Sequence, residues 1–254
     1  MNIIVIAGLV PDLVEELEID SNGTALDTAW LRMIINEFDD HAIEQAILLK
    51  EQGGGHVTVL AIDQEGIDEV LFTAAAKDAD RMIKLLGDFE QGVNSHALAR
   101  VFAEVIQNLE PDLILTGVQA HTNLDGAVGP LLASMLDMPY VGYVAGLETA
   151  DGKVTAKKEY PGGLIGKMEV TLPAVLGIQA SEQPPRYVAV SKVRQAMKTA
   201  TIEEQDAVEL DVSGGLDVSR MFLPEAAERA EMIEGSEDEI AAKLVELFKE
   251  VGAL

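Results

Sequence analysis

The sequence predicts an α/β fold, a Rossmann-like parallel sheet with helices on both faces, extended by a β-hairpin or meander and a C-terminal helical arm. Three observations carry that prediction. Residues 1–140 alternate short β-branched apolar runs with stretches of helical period, and such alternation builds a parallel sheet covered on both faces. Residues 111–139 (PDLILTGVQAHTNLDGAVGPLLASMLDMP) read as strand, small-residue loop and helix. Beyond residue 141 the pattern changes to strand-like runs joined by Asp151-Gly152 and Gly162-Gly163.

The elements follow in order. Residues 2–7 form an apolar run suited to a central parallel strand. Residues 15–20 (ELEID) alternate acid and apolar residues before the turn signal Asn22-Gly23, which predicts an edge strand or hairpin arm. Asn36 is placed to cap a helix, with Asp39 at the capping-box position. That helix carries Phe38, Ala42, Ala46 and Leu49 on one stripe and stops at Gly53-Gly54-Gly55. A strand over 57–62, a helix over about 66–77 and a strand over 82–86 come next. Asn94-Ser95 then caps a helix with Leu98, Val101, Phe102, Val105 and Ile106 on one face. After the central stretch, 141–147, 153–160 and 166–172 read as the meander and 174–179 as a last strand. The prolines of QPPRY at 183–187 exclude regular structure there, and 197–211 reads as a polar linker. Ser236 with Glu239 makes a capping box for a final helix striped by Ile240, Leu244, Leu247 and Phe248.

The central stretch is the candidate site. Val128, Leu131, Leu132, Met135 and Leu136 lie on one helix face, and Thr122, Asn123 and Asp125 are candidate N-caps. A small-residue loop entering a helix presents unpaired N–H groups and a positive dipole end, which suits a phosphate. Gly126 and Gly129 would let that phosphate approach the backbone closely. An ordinary βα connection is the alternative, since no complete dinucleotide or P-loop motif is present. Ser213 to Asp217 (SGGLD) resembles the pyrophosphate loop of ATP-pyrophosphatases and leaves an ATP-dependent enzyme as one alternative function. A stand-alone adenine-nucleotide-binding module is another.

Composition narrows the field. With no cysteine the chain has no disulfide, thiolate metal site or cysteine nucleophile, and its four scattered histidines make no HxxxH pair. No Ser-His-Asp spacing or paired-carboxylate motif marks catalysis. A net charge of −26 argues against nucleic acid. The N-terminal MNIIVIAG lacks a basic leader, and no run reaches membrane-spanning length, so a cytoplasmic protein without stable membrane insertion is expected.

Six stretches in the right order resemble the beta subunit of electron transfer flavoproteins, nearly end to end. Asn36-Glu37-Phe38-Asp39 is similar to that family's Asn-Pro-Phe-Asp/Cys, with Glu37 in place of the proline. TAAAKDADR at 73–81 is similar to its TALAMGADR, and 117–129 to its GKQAxDDDxNQTG. YPGGLIGKMEVTLPAV at 160–175 is similar to its DGGLE…LPAV, and Pro185-Arg186-Tyr187 to the PRY opening its recognition loop. MFLPEAAERAEMIEG at 221–235 resembles the branch serving partners like trimethylamine dehydrogenase.

The resemblance implies a non-catalytic electron carrier: a heterodimer with a larger alpha subunit, FAD shared with alpha, and either AMP or, in bifurcating members, a second FAD in this chain. It implies a nucleotide site at Ala7, Asn36, Glu37, Phe38, Asp39, Ile62, Asp63, Thr122, Asn123, Asp125, Gly126, Ala127, Val128 and Gly129. Gly126 and Ala127 stand where the family has Asn and Gln, which leaves backbone N–H groups as the main donors. It also implies a flavin-dependent dehydrogenase docking on residues 183–198 through Pro185, Arg186, Tyr187 and the anchor Val190. The organisation expected is a nucleotide-binding domain over 1–190, its β extension at about 141–172, and a linker and arm over 199–254 that packs on alpha.

Overall fold

Parallel strands that are apolar on both faces need cover on both sides, and that requirement shapes this molecule. In the computed structural model, the residues described are 1–89, 93–123, 125–150, 153–224, 230 and 232–254. They divide into two compact units, Met1–Ser219 and Arg220–Leu254.

In the first unit the chain runs β1 (Asn2–Ile6), β2 (Leu9–Pro11), β3 (Met33–Ile35), α1 (Glu37–Gly53), β4 (His56–Ile62), α2 (Ile67–Ala76), β5 (Arg81–Leu86), α3 (Ser95–Ile106), β6 (Leu113–Gly117) and α4 (Val128–Met135). It continues through β7 (Tyr140–Ala150), β8 (Lys153–Tyr160), β9 (Leu164–Val170), β10 (Ala174–Ile178), α5 (Val190–Thr199) and β11 (Ile202–Asp206). Among the described residues nine strands make one sheet in the order β11-β5-β4-β1-β6-β10-β7-β8-β9. From β11 to β7 every pairing is parallel, and β8 and β9 continue antiparallel. The expected fold class is therefore the observed one.

Alternate residues of each strand feed opposite layers. Ile3 and Val5 pack with Ala42, Ala46, Ile67 and Leu71 of α1 and α2, whereas Ile4 and Ile6 pack with Val101, Phe102 and Leu132 of α3 and α4. The chain builds outward from β1 through β4 to β5, then returns through α3 to β6 on the other side of β1. β1 and β6 thus flank the switch point of the sheet, and in open α/β sheets the ligand crevice lies beyond the C-terminal ends of such strands.

Two expectations need correction. Residues 15–20 form no strand: Ile19 meets Leu26 in a single bridge, and Asp20 instead accepts from Thr24 N and Ala25 N at 3.0 and 3.2 Å. With no sheet face to bury its apolar residues, the alternation of ELEID has nothing to pair with, and the hairpin forms between β2 and β3. Residues 197–211 are likewise more than a linker. Residues 197–199 complete α5, and β11 joins the sheet edge beside β5. Its polarity hid it, because an edge strand buries little; Ile202 packs on the core while Glu203 pairs with Arg81 at 2.6 Å.

The second unit holds α6 (Glu237–Glu250) behind the expected box. Ser236 Oγ accepts from Glu239 N at 3.4 Å, and Glu239 Oε2 accepts from Ser236 N at 2.8 Å. No residue of α6 is buried.

Candidate functional site

A strand that ends at a switch point leaves buried backbone donors in want of acceptors. Here Gly8 N, just past β1, and Gly117 N, the last of β6, both find one carboxylate. Asp39 Oδ2 accepts from Gly8 at 3.0 Å and Oδ1 from Gly117 at 2.9 Å. Asn36 Nδ2 donates to Gln119 O at 2.9 Å, so its side chain does not cap α1. The capping box expected at Asn36 and Asp39 therefore does not form. Both side chains turn away from their own helix and join the loops that leave β1 and β6. Gly117 permits this approach, because a Cβ there would lie 2.3 Å from Asp39 Oδ1 and 2.8 Å from Phe38 Cβ. Burial pushes the Asp39 carboxyl up to about 7, against the opposing pull of the Gly8 and Gly117 N–H groups and Asn36.

Around this centre, Ala7 and Ile62 are buried at the ends of β1 and β4, Phe38 is half-buried and Glu37 exposed. Asp63 turns toward Lys84, 3.8 Å away, which also binds Asp68 and Glu204. The side of the crevice formed by β6 and α4 is built differently from expectation. The residue at the N-cap of α4 is Ala127, and no side chain caps the helix in the usual way. Thr122 is exposed, and Asn123 bonds through its backbone to Ala120 and Gly126. Asp125 Oδ1 accepts from Ala127 N at 3.3 Å and from Ser95 Oγ at 2.7 Å, which ties the loop to the head of α3. Gly126 takes a left-handed φ of 59° to turn the chain into the helix. Val128 and Gly129 head α4 and keep N–H groups with no intrahelical acceptor, whereas Pro130 has none to offer.

Gly129 is small for a reason the sequence did not disclose. A Cβ there would lie 2.9 Å from Tyr140 Cε2 and 3.0 Å from Thr116 Oγ1. The Tyr140 hydroxyl end also lies against Gly142 and Gly177, where added Cβ atoms would come within 2.7 and 2.5 Å of its oxygen. Burial pushes the Tyr140 phenol up to about 12, so it stays protonated. Thr116, only 3% exposed, has no hydrogen-bond partner for Oγ1 among the described residues. An orphaned hydroxyl beside the first turn of α4, with its free N–H groups, fits a phosphate-bearing ligand; the nearby Asp125 carboxylate works against one.

The expected docking residues fall into two groups. Arg186 is held down: Glu44 and Glu51 of α1 receive its guanidinium, and Glu44 also receives its backbone N–H. Tyr187, 87% exposed, and Val190, 61% exposed and first in α5, face outward, with Pro185 half-buried before them. Residues 213–217 open no helix. Instead Arg100 donates to Asp211 O and Ser213 O, and Asn94 to Val212 O, so the segment lies as a strap over the head of α3. Without a strand before it or a helix after it, SGGLD has no phosphate geometry here.

Sequence reasoning missed Gly8, Thr116 and Tyr140, and it placed Ser95 at the head of α3 without its bond to Asp125. The signal available for the hold of Glu44 on Arg186 was the polar pair Glu44-Gln45 on a helix flanked by Ile43 and Ala46, a buried position for acid and amide.

Known proteins share this sequence from end to end. The model of the electron transfer flavoprotein domain matches residues 25–210. The electron transfer flavoprotein subunit beta of Methylophilus methylotrophus is 32% identical, over 98% of each chain. That of Bacillus subtilis is 30% identical over 98% of each, and that of Syntrophomonas wolfei 30% over 98% of this chain and 97% of its own. By domain match and end-to-end likeness alike, this chain belongs to the electron transfer flavoprotein family, as one of its beta subunits.

Proposed function

We propose that the chain works with a larger alpha subunit as an electron carrier, taking electrons from a flavin-dependent dehydrogenase through an FAD shared with alpha and passing them on. The flavin supplies the redox chemistry, and this chain supplies environment, a nucleotide site and the docking surface. The observation that supports the nucleotide reading is the head of α4 beside the β1/β6 switch point, where the donors of Val128 and Gly129 lie next to the orphaned Thr116 hydroxyl. There Val128, Gly129 and Thr116 would hold the phosphate of AMP, or of a second FAD. Ala7, Ile62 and Phe38 would offer apolar surface to its rings. Asn36 and Asp39 act one step back, fixing the loops rather than touching the nucleotide. Docking rests on residues 183–198, where Tyr187 and Val190 stand exposed, and the arm of the second unit packs on alpha. No helix among the described residues is long and apolar enough to cross a membrane.

The test is expression of the chain alone and together with its alpha partner, followed by mass spectrometry of released nucleotides. A colourless isolated chain and a yellow complex with FAD plus one further nucleotide are expected. Stoichiometric FAD in the isolated chain would sink the shared-flavin reading, and a complex with FAD only would sink the second site.

A further inference from the structure

Burying a carboxylate costs several kcal/mol unless it is paired in good geometry, so a fold that does it gains position rather than stability. Glu44 is such a group. It is 2% exposed on α1, and its oxygens accept from Arg186 N at 2.9 Å, from Nε at 2.9 and 3.1 Å, and pair with Nη2 at 2.9 Å. Two turns further along the same helix Glu51 takes the rest of the guanidinium, from Nη1 at 2.6 Å and Nη2 at 3.1 Å. Arg186 holds the Glu51 carboxyl below its ordinary value, so the pair stays ionised. The preceding residues are pinned to the same helix face. Ser181 N donates to His41 Nδ1 and Glu182 N to Gln45 Oε1, both at 3.2 Å. Immediately afterwards Tyr187 and Val190 stand exposed, with half-buried Val188 and Ala189 between them, and Ala196 is buried in α5. The exposed stretch thus lies between two fixed points.

We infer that Arg186 is a positioning residue for docking. By bolting its segment to Glu44 and Glu51 it holds Tyr187 and Val190 in one presentation, so the partner need not order them on binding. The same helix carries Asn36 and Asp39 at its head. Docking face and crevice therefore hang from one rigid rod, and the distance between them is set within this chain. The inference rests on the docking reading of residues 183–198.

The experiment uses the heterodimer and its dehydrogenase. Arg186→Lys keeps the charge but loses the fork, and the paired replacement Glu44→Met with Arg186→Met removes the clamp without leaving a buried charge unpaired. Tyr187→Ala removes contact surface and leaves the clamp alone. In both clamp variants the apparent KM for the heterodimer should rise roughly tenfold with kcat and flavin content unchanged. Amide exchange at Ser181, Glu182 and residue 186 should quicken in the absence of any partner. Unchanged exchange overturns the inference outright. Faster exchange with unchanged KM, while Tyr187→Ala raises KM, overturns the inference and leaves the docking reading standing. An unchanged KM in all three variants overturns both.

Discussion

Two helices of this chain start with the same sequence device, a short polar residue followed at the third position by an acid, and use it in opposite directions. At α6 Ser236 and Glu239 bond to each other's backbone and close the helix end on itself. At α1 Asn36 and Asp39 leave their helix and bond to Gln119, Gly8 and Gly117. The acid of α6 sits in water, held below its ordinary value by the Ser236 N–H. That of α1 is buried and pushed up to about 7. What separates them is competition. Among the described residues Ser236 and Glu239 bond to each other, whereas the switch point sets two part-buried N–H groups beside Asp39. A capping pattern is therefore a statement about helix ends only where no strand end lies close by.

The largest expected effect comes from removing the acceptor at α1. Asp39→Ala takes the acceptor from two part-buried donors, a loss of about 2 kcal/mol at about 1 kcal/mol for each hydrogen bond. Calorimetry of the purified chain checks this; a loss no larger than that of Ser236→Ala would break the comparison. Asp39 should also leave a signature in pH. Its folded pKa lies above the unfolded value of 3.8, so its share of stability is full below about 3.8 and is lost as pH rises through about 7. The difference in urea-unfolding free energy between the wild type and Asp39→Asn should run downhill across that window. A flat difference would mean that Asp39 titrates as an exposed acid.

The head of α4 offers a sharper version of the contrast, since there the question is what a missing side chain makes room for. Gly129→Val should cost about 1–3 kcal/mol through overpacking against Tyr140, with no nucleotide present. Combining it with Tyr140→Ala should recover part of that loss, a coupling of about 0.5–3 kcal/mol in a double-mutant cycle. Strict additivity would return Gly129 to the role of keeping space for a phosphate alone. The smallest effect belongs to Ser236→Ala, about 1 kcal/mol confined to α6 and read as faster exchange at the Glu239 amide. A fall in the melting temperature of Met1–Ser219 would show that the arm's cap matters beyond its own helix.

The inner parallel layers were readable because β1, β4, β6 and β10 are apolar on both faces and the helices on them carry stripes. Asn94 was readable as a cap, and its side chain does accept from His96 N and Ala97 N. The site was half readable. Asn36, Asp39, Gly126 and Gly129 were singled out, yet their surroundings depend on Gly8, Thr116 and Tyr140, which come from the ends of three different strands and carry no local pattern. Spacing shows which residues share a helix face; it does not show which loop comes back to meet them. β11 was lost for the opposite reason. IEEQD looks like a solvated run, and only the exposed edge of β5 makes it a strand.

That edge strand also has a bearing on which strand pairs with which. The row of cations along β5 is Arg81 and Lys84, and they meet Glu203 and Glu204 of β11. β11 itself, Ile202 to Asp206, contains three acids and no base. Its outer margin is an open line of backbone donors and acceptors, the kind of margin on which a second chain could template itself. A second copy pairing in parallel register would set Glu203, Glu204 and Asp206 each against its own likeness, with none of the cations that β5 supplies. The charges thus act as an address. A frayed β11 is drawn back to its own β5, and the row that would let sheets grow from one molecule into the next repels its own likeness.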